Sequence, residues 1–174
     1  MKPVRPPRAI TCQMLSIAAL FTLAALAQAT PAQDVQQAEA SLRGGDVPTA
    51  MGLLRKASDQ GDARAHARLA DLLHAAEFDA EAVVLYRKAA EQGEAAGEFG
   101  LGRMYANGAG MPKDAALALE WYRKAEKKNH VPALEALARA HRAGDLGLTR
   151  NLDEATALDA RARSARQAAA KDAQ

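Results

Sequence analysis

Apolar residues recur along this chain at the spacing of a helix face, and the same face returns at long intervals. Leu69 and Ala70 are followed one turn later by Leu73. Leu101, Gly102 and Tyr105 repeat that order, and Leu137, Ala138 and His141 do so again. Residues three and four apart share one side of a helix, so each trio predicts a buried stripe. A second series runs between these, with Ala82 and Tyr86 answered by Ala118 and Tyr122. Small residues inside the stripes let neighbouring helices come close.

The helix ends repeat as well. Arg55-Lys56-Ala57 runs on to Gly61, Arg87-Lys88-Ala89 to Gly93, and Arg123-Lys124-Ala125 to Asn129. Basic residues suit the negative end of the helix dipole, and Gly or Asn takes the left-handed conformation that closes a helix. The spacing predicts helix pairs over 62–93, 94–129 and 130–166, which together form a repeat array over 62–166. A degenerate leading pair within 30–61 is predicted over Gln33–Leu42 and Pro48–Asp59, joined by Gly44-Gly45-Asp46. A last helix from Asp153 to about Lys171 points Ala155, Leu158, Ala162 and Ala165 inward and Arg161, Arg163 and Arg166 outward. Residues 167–174 form a tail. Composition agrees, since aromatics are only 4% and no β-branched run argues for a sheet.

Residues 94–129 carry the fullest pattern. Leu101-Gly102, Tyr105, Asn107-Gly108-Ala109-Gly110, Lys113-Asp114, Ala118, Trp121-Tyr122 and Ala125 stand in fixed order. Gly108 and Gly110 permit a tight loop with positive φ, Pro112 separates the loop from the helix before it, and Asp114 can cap the next helix. As a set this resembles a Sel1-like repeat, a variant of the tetratricopeptide repeat. The resemblance implies an all-α fold, a right-handed α-solenoid of antiparallel helix pairs, and work as an adaptor or scaffold. The flanking units depart from the pattern. The first has a short loop from His74 to Asp79. The third has a longer one from Ala143 to Leu152, and carries Ala160 and Arg161 where the aromatic pair would stand. A terminal unit needs no such pair, because its outer face meets water.

The amino terminus reads differently. Lys2, Arg5 and Arg8 precede an apolar run from Ile10 to Ala27, and Ala27-Gln28-Ala29 offers small residues at a cleavage site. This is the layout of a signal peptide over residues 1–29, cut before Thr30, and it predicts a periplasmic or secreted protein. A retained anchor is the alternative, because the run is near the roughly 17–25 residues that span a bilayer. Membrane contact is expected only in that case. Cleavage removes the single cysteine, Cys12, so no disulfide is expected in the mature chain. It also removes three of 23 basic residues and leaves 20 against 21 acidic ones. A nearly neutral chain gives no basis for bulk nucleic-acid binding.

Chemistry is sparse. His66, His74, His130 and His141 stand in no metal-ligand spacing, and there is no phosphate-cradling loop or nucleophile elbow. Neither an enzyme nor a cofactor or metal is expected. Some cysteine-rich relatives of the family are described as β-lactam-binding or hydrolysing, but they carry disulfides that this chain lacks. The expected partner is another protein or peptide. Family geometry puts Arg64, Asp71, His74, Phe99, Arg103, Glu135, Arg139 and Arg142 on the concave face. Such an arginine-rich face suits an acidic segment, a carboxylate terminus or an anionic sugar, since arginine binds carboxylate with paired donors. Phe99 would be its apolar anchor. A scaffold in the cell envelope is the leading expectation, and a periplasmic immunity or inhibitor protein is the alternative.

Overall fold

The computed structural model describes residues 29–172, which form eight α-helices: α1 Pro31–Arg43, α2 Val47–Asp59, α3 Ala63–Ala75, α4 Asp79–Glu91, α5 Ala95–Asn107, α6 Ala115–Lys127, α7 Val131–Ala143 and α8 Leu152–Asp172. No strand occurs among the described residues. The signal-peptide assignment falls outside this range except for Ala29. The first seven helices are each 13 residues long, about 20 Å. They pack as antiparallel pairs in an all-helical solenoid.

Equal length puts the helices in one register. In α2, α4 and α6 the fourth residue is Ala50, Ala82 or Ala118, and the eleventh is Ala57, Ala89 or Ala125. All six are fully buried. Between them stand Leu54, Tyr86 and Tyr122, the large side chains the alanines leave room for. Each of these helices ends the same way. Gly61, Gly93 and Asn129 take positive φ, and the next residue returns its N–H to the buried alanine at the eleventh position, at 3.2, 2.9 and 3.1 Å.

The starts of α2, α3 and α6 are capped by aspartates. Asp46, Asp62 and Asp114 each accept a backbone N–H three residues on. At α1 the cap is a full box. Thr30 Oγ1 accepts from Gln33 N–H at 3.3 Å, and Gln33 Oε1 accepts from Thr30 N–H at 2.9 Å. This box and Pro31 start α1 two residues before the predicted Gln33.

Odd-numbered helices approach one another, α1 with α3 and α3 with α5, whereas even-numbered neighbours do not. The stack therefore curves with its odd helices on the inner side. Glycines on α5 set the closest approaches. A Cβ on Gly100 would overlap the Tyr86 ring, and one on Gly102 would lie 2.7 Å from the Tyr122 ring. The buried side chains form two clusters. One runs from Val35 in α1 to Met104 in α5, and the other joins Tyr122 to Leu134, Leu137 and Leu158. Trp121 packs on the first and its neighbour Tyr122 belongs to the second, so α6 joins the two. The seam falls between α5 and α7, which do not pack together as α3 and α5 do.

A candidate partner-binding face

The ninth residue of each odd helix faces the inner side, in the order Glu39, Asp71, Arg103 and Arg139. Acid thus gives way to base along the solenoid. Tyr86 sits between the second and third rungs. Its hydroxyl donates to Asp71 Oδ1 at 2.6 Å and accepts from Arg103 Nη2 at 2.7 Å. Burial raises the Tyr86 pKa, Asp71 adds to this, and Arg103 works against it. The phenol is accordingly a fixed donor. Tyr122 sits between the third and fourth rungs, its ring stacked on Phe99 at 5.6 Å. Phe99 also meets His130 at 5.3 Å, and the Arg103 guanidinium lies 5.8 Å from the Phe99 ring centre.

Most of the expected binding residues are held internally. Arg64 reaches Glu39 at 2.8 Å, and Arg68 shares that carboxylate. His74 Nδ1 meets Asp79 Oδ1 at 2.5 Å. Arg142 pairs with Asp159, and Glu135 with Arg166. Arg103 pairs with Asp71 at 3.5 Å. Arg139 is exposed and has no ion pair among the described residues. Phe99 is half-buried rather than an open anchor, because Tyr122 and His130 take its faces. The structure thus brings Phe99, Arg103 and Arg139 around Tyr122 and sets Arg64, His74 and Arg142 apart in local pairs. Sequence reasoning missed Glu39 and the two tyrosines as members of the face. The register that aligns Tyr86 with Tyr122 was the available signal, and carrying the interval of 32 back from Asp71 reaches Glu39.

A cleft of about 390 Å³ opens where α5 and α7 stand apart. Tyr122, Ala136, Arg139 and Ala140 line it, with Asn107, Lys113 and Asp145 at the loop end. A larger, shallow hollow of about 500 Å³ lies at the far end, against Asn129, Ala160, Arg161 and Ser164, away from the ladder of charges. Among the described residues no group of His, Cys, Asp and Glu side chains gathers as metal ligands would, and no helix is long and apolar enough to cross a membrane.

Two histidines tie stability to pH. Burial lowers the pKa of His130, and burial followed by the charge of Lys88 lowers that of His66, whose Nδ1 lies 2.7 Å from Ser58 Oγ. Unfolded histidine titrates near 6.5. As pH falls through that value, the unfolded chain takes up protons that the folded chain resists, so stability drops. The melting temperature is expected to fall between pH 7.5 and 5.5. In a variant carrying His66→Gln and His130→Asn, the fall should be visibly smaller. An unchanged slope in that variant would assign the pH dependence to other groups.

The fold and its inner face define a class: a tetratricopeptide-like helical-repeat scaffold. Sel1 repeat models match residues 42–62, 79–94, 95–130 and 131–158, more than half of the chain, so the protein belongs to the Sel1 repeat family. The matches skip 63–78, which hold α3 and the short turn after it. Among solved structures, a Sel1 repeat protein from Oxalobacter formigenes is similar over 78% of this chain and 57% of its own, at 24% identity and TM-score 0.70. One from Klebsiella pneumoniae subsp. pneumoniae covers 77% and 67%, at 25% identity and TM-score 0.68. A protective antigen of uropathogenic Escherichia coli with an SLR fold covers 78% and 31%, at 24% identity and TM-score 0.65. The chain therefore spans little more than half of the first of these and under a third of the last. No curated protein gave a match. Sel1 repeat proteins generally mediate protein–protein interaction.

Proposed function

We propose that this protein is an exported scaffold of the cell envelope that holds an acidic segment of a partner protein on its inner face, around Phe99, Arg103 and Arg139. The observation that carries this reading is the charge order of the ladder. Its two arginines are adjacent, Asp71 serves only the first, and Arg139 stands exposed beside an open cleft. An unneutralised guanidinium beside an aromatic surface is a natural acceptor of carboxylate. Export is supported by the residues that flank Ala29. Cutting there leaves Thr30 as the first residue, and Thr30 is also the cap that starts α1, so all eight described helices lie after the cut.

Affinity capture from envelope extracts, read by mass spectrometry, tests the reading. The native protein is expected to retain a defined partner, and the variant carrying Arg103→Glu and Arg139→Glu to lose it with unchanged helicity by circular dichroism. Capture that survives the double reversal would remove this face from the function. Amino-terminal sequencing of the mature protein is expected to begin at Thr30, and a chain still carrying Met1 would put export by cleavage aside.

A further inference from the structure

Tyr86 and Tyr122 occupy the same place, the eighth residue of α4 and of α6, but they keep opposite company. Tyr86 lies between an acid and a base, Asp71 and Arg103, and its hydroxyl bonds to both. One repeat further along, the frame reads Arg103, Tyr122, Arg139. The place of the acid is taken by a second arginine. The Tyr122 hydroxyl makes no hydrogen bond among the described residues, although the residue is only 6% exposed and lines the cleft. Burial raises its pKa against the pull of Arg103 and Arg139, so it remains an O–H donor facing no acceptor. Unlike the sealed Nε of Arg103, the Tyr122 hydroxyl opens to the cleft, where it is free to donate to an acceptor that enters. The cleft holds one acid, Asp145, whose Oδ1 accepts its neighbour Leu146 N–H at 2.7 Å. With Lys113 and Arg139 opposing that single acid, the lining is net positive.

We infer that the second frame takes a carboxylate of the partner protein, seated on the Tyr122 hydroxyl between Arg103 and Arg139, as Asp71 is seated on Tyr86. This rests on the scaffold reading and specifies what its face grips. Aspartate or glutamate side chains and a chain-terminal carboxylate offer the same chemistry. In both cases the carboxylate receives one phenol hydrogen bond and charge-assisted bonds from guanidinium groups, the strong kind in proteins.

Three short alanine-based peptides separate the possibilities. The first carries one internal aspartate and blocked ends, the second a free carboxyl terminus, and the third neither. Each is titrated at low salt into protein labelled at the tyrosine ring carbons, with the Tyr86 ζ-carbon as internal reference. At least one carboxylate peptide is expected to shift the Tyr122 ζ-carbon saturably, the neutral peptide to shift neither, and the better binder to identify the source. Tyr122→Phe keeps the ring on Phe99 and removes only the hydroxyl. It should weaken the carboxylate peptide about tenfold, the value of one hydrogen bond to a charged group. Arg139→Gln should weaken it at least as much. The inference is overturned if neither carboxylate peptide moves Tyr122 at about 10 mM, a concentration that reveals even millimolar binding, or if Tyr122→Phe binds as tightly as the native protein. Partner capture lost on reversal of both arginines, with Tyr122 unmoved by the peptides, would sink this inference and leave the scaffold reading intact. Peptide binding with capture unaffected would do the opposite.

Discussion

Gly100→Ala is expected to lower stability by about 3 kcal/mol, while the same substitution at Gly52 raises it by about 0.5–1 kcal/mol. Both glycines lie within helices, where alanine is intrinsically preferred. Gly52 is exposed on α2 with nothing near its absent Cβ, so only the intrinsic preference acts. Gly100 faces the Tyr86 ring, where the added methyl would overlap the Cδ1 and Cε1 atoms. That ring has no room to retreat. It is fully buried, and its hydroxyl is tied to Asp71 and Arg103. Moving it breaks two hydrogen bonds, and not moving it forces α4 from α5, so the penalty belongs at the upper end of overpacking. Urea denaturation of both variants measures this. Equal or greater stability for Gly100→Ala would mean that the close approach of α4 and α5 is not a constraint. Combining it with Tyr86→Leu, which clears the ring, should recover part of the loss.

That contrast marks what a sequence of this kind reveals. The placement of helices was legible because the repeat constrains the same few positions every time: alanines that must be small, a large residue between them, and a Gly or Asn that must turn. Ala82, Tyr86, Ala118 and Tyr122 therefore aligned from the sequence and are all buried in the fold. The binding face was legible only as a list of positions. Whether Arg64 or Arg142 is free depends on how neighbouring helices are rotated and which acids they bring within reach. The partners are far along the chain, Glu39 for Arg64 and Asp159 for Arg142. No periodicity encodes those pairings. Phe99 illustrates the same limit. Its helix position put it on the inner face, but the ring is half-buried because Tyr122 and the cap residue His130 lie against it. The asymmetry between Tyr86 and Tyr122 needed both kinds of information, the register to equate them and the geometry to show what each one touches.

Removing the ammonium of Lys128 tests a nearly sealed charge pair of this core, and Lys128→Ala is expected to lose about 2–3 kcal/mol. Glu98 is 4% exposed at the fourth position of α5. Lys128 meets its Oε1 at 2.7 Å and donates to the Gly93 carbonyl at 2.5 Å, while Oε2 is sealed without a partner. Taking away the lysine strands a buried carboxylate and frees the turn between α4 and α5. The loss is set below the range for fully buried pairs because Lys128 is itself partly exposed. The equivalent position shows that the pair is not required for packing. It is Asp34 in α1, which meets Lys56 at 2.9 Å, but Leu134 in α7, fully buried with no charge. The variant carrying both Glu98→Leu and Lys128→Met is therefore expected to lie within about 1 kcal/mol of the native protein, since apolar replacements of buried pairs are commonly neutral. A double-mutant cycle in urea reads the coupling directly. A coupling near zero would mean that Glu98 is held by its helix alone. A double variant as unstable as Lys128→Ala would mean that the lysine acts through the Gly93 carbonyl, and that the turn between α4 and α5, more than the carboxylate, is what it secures.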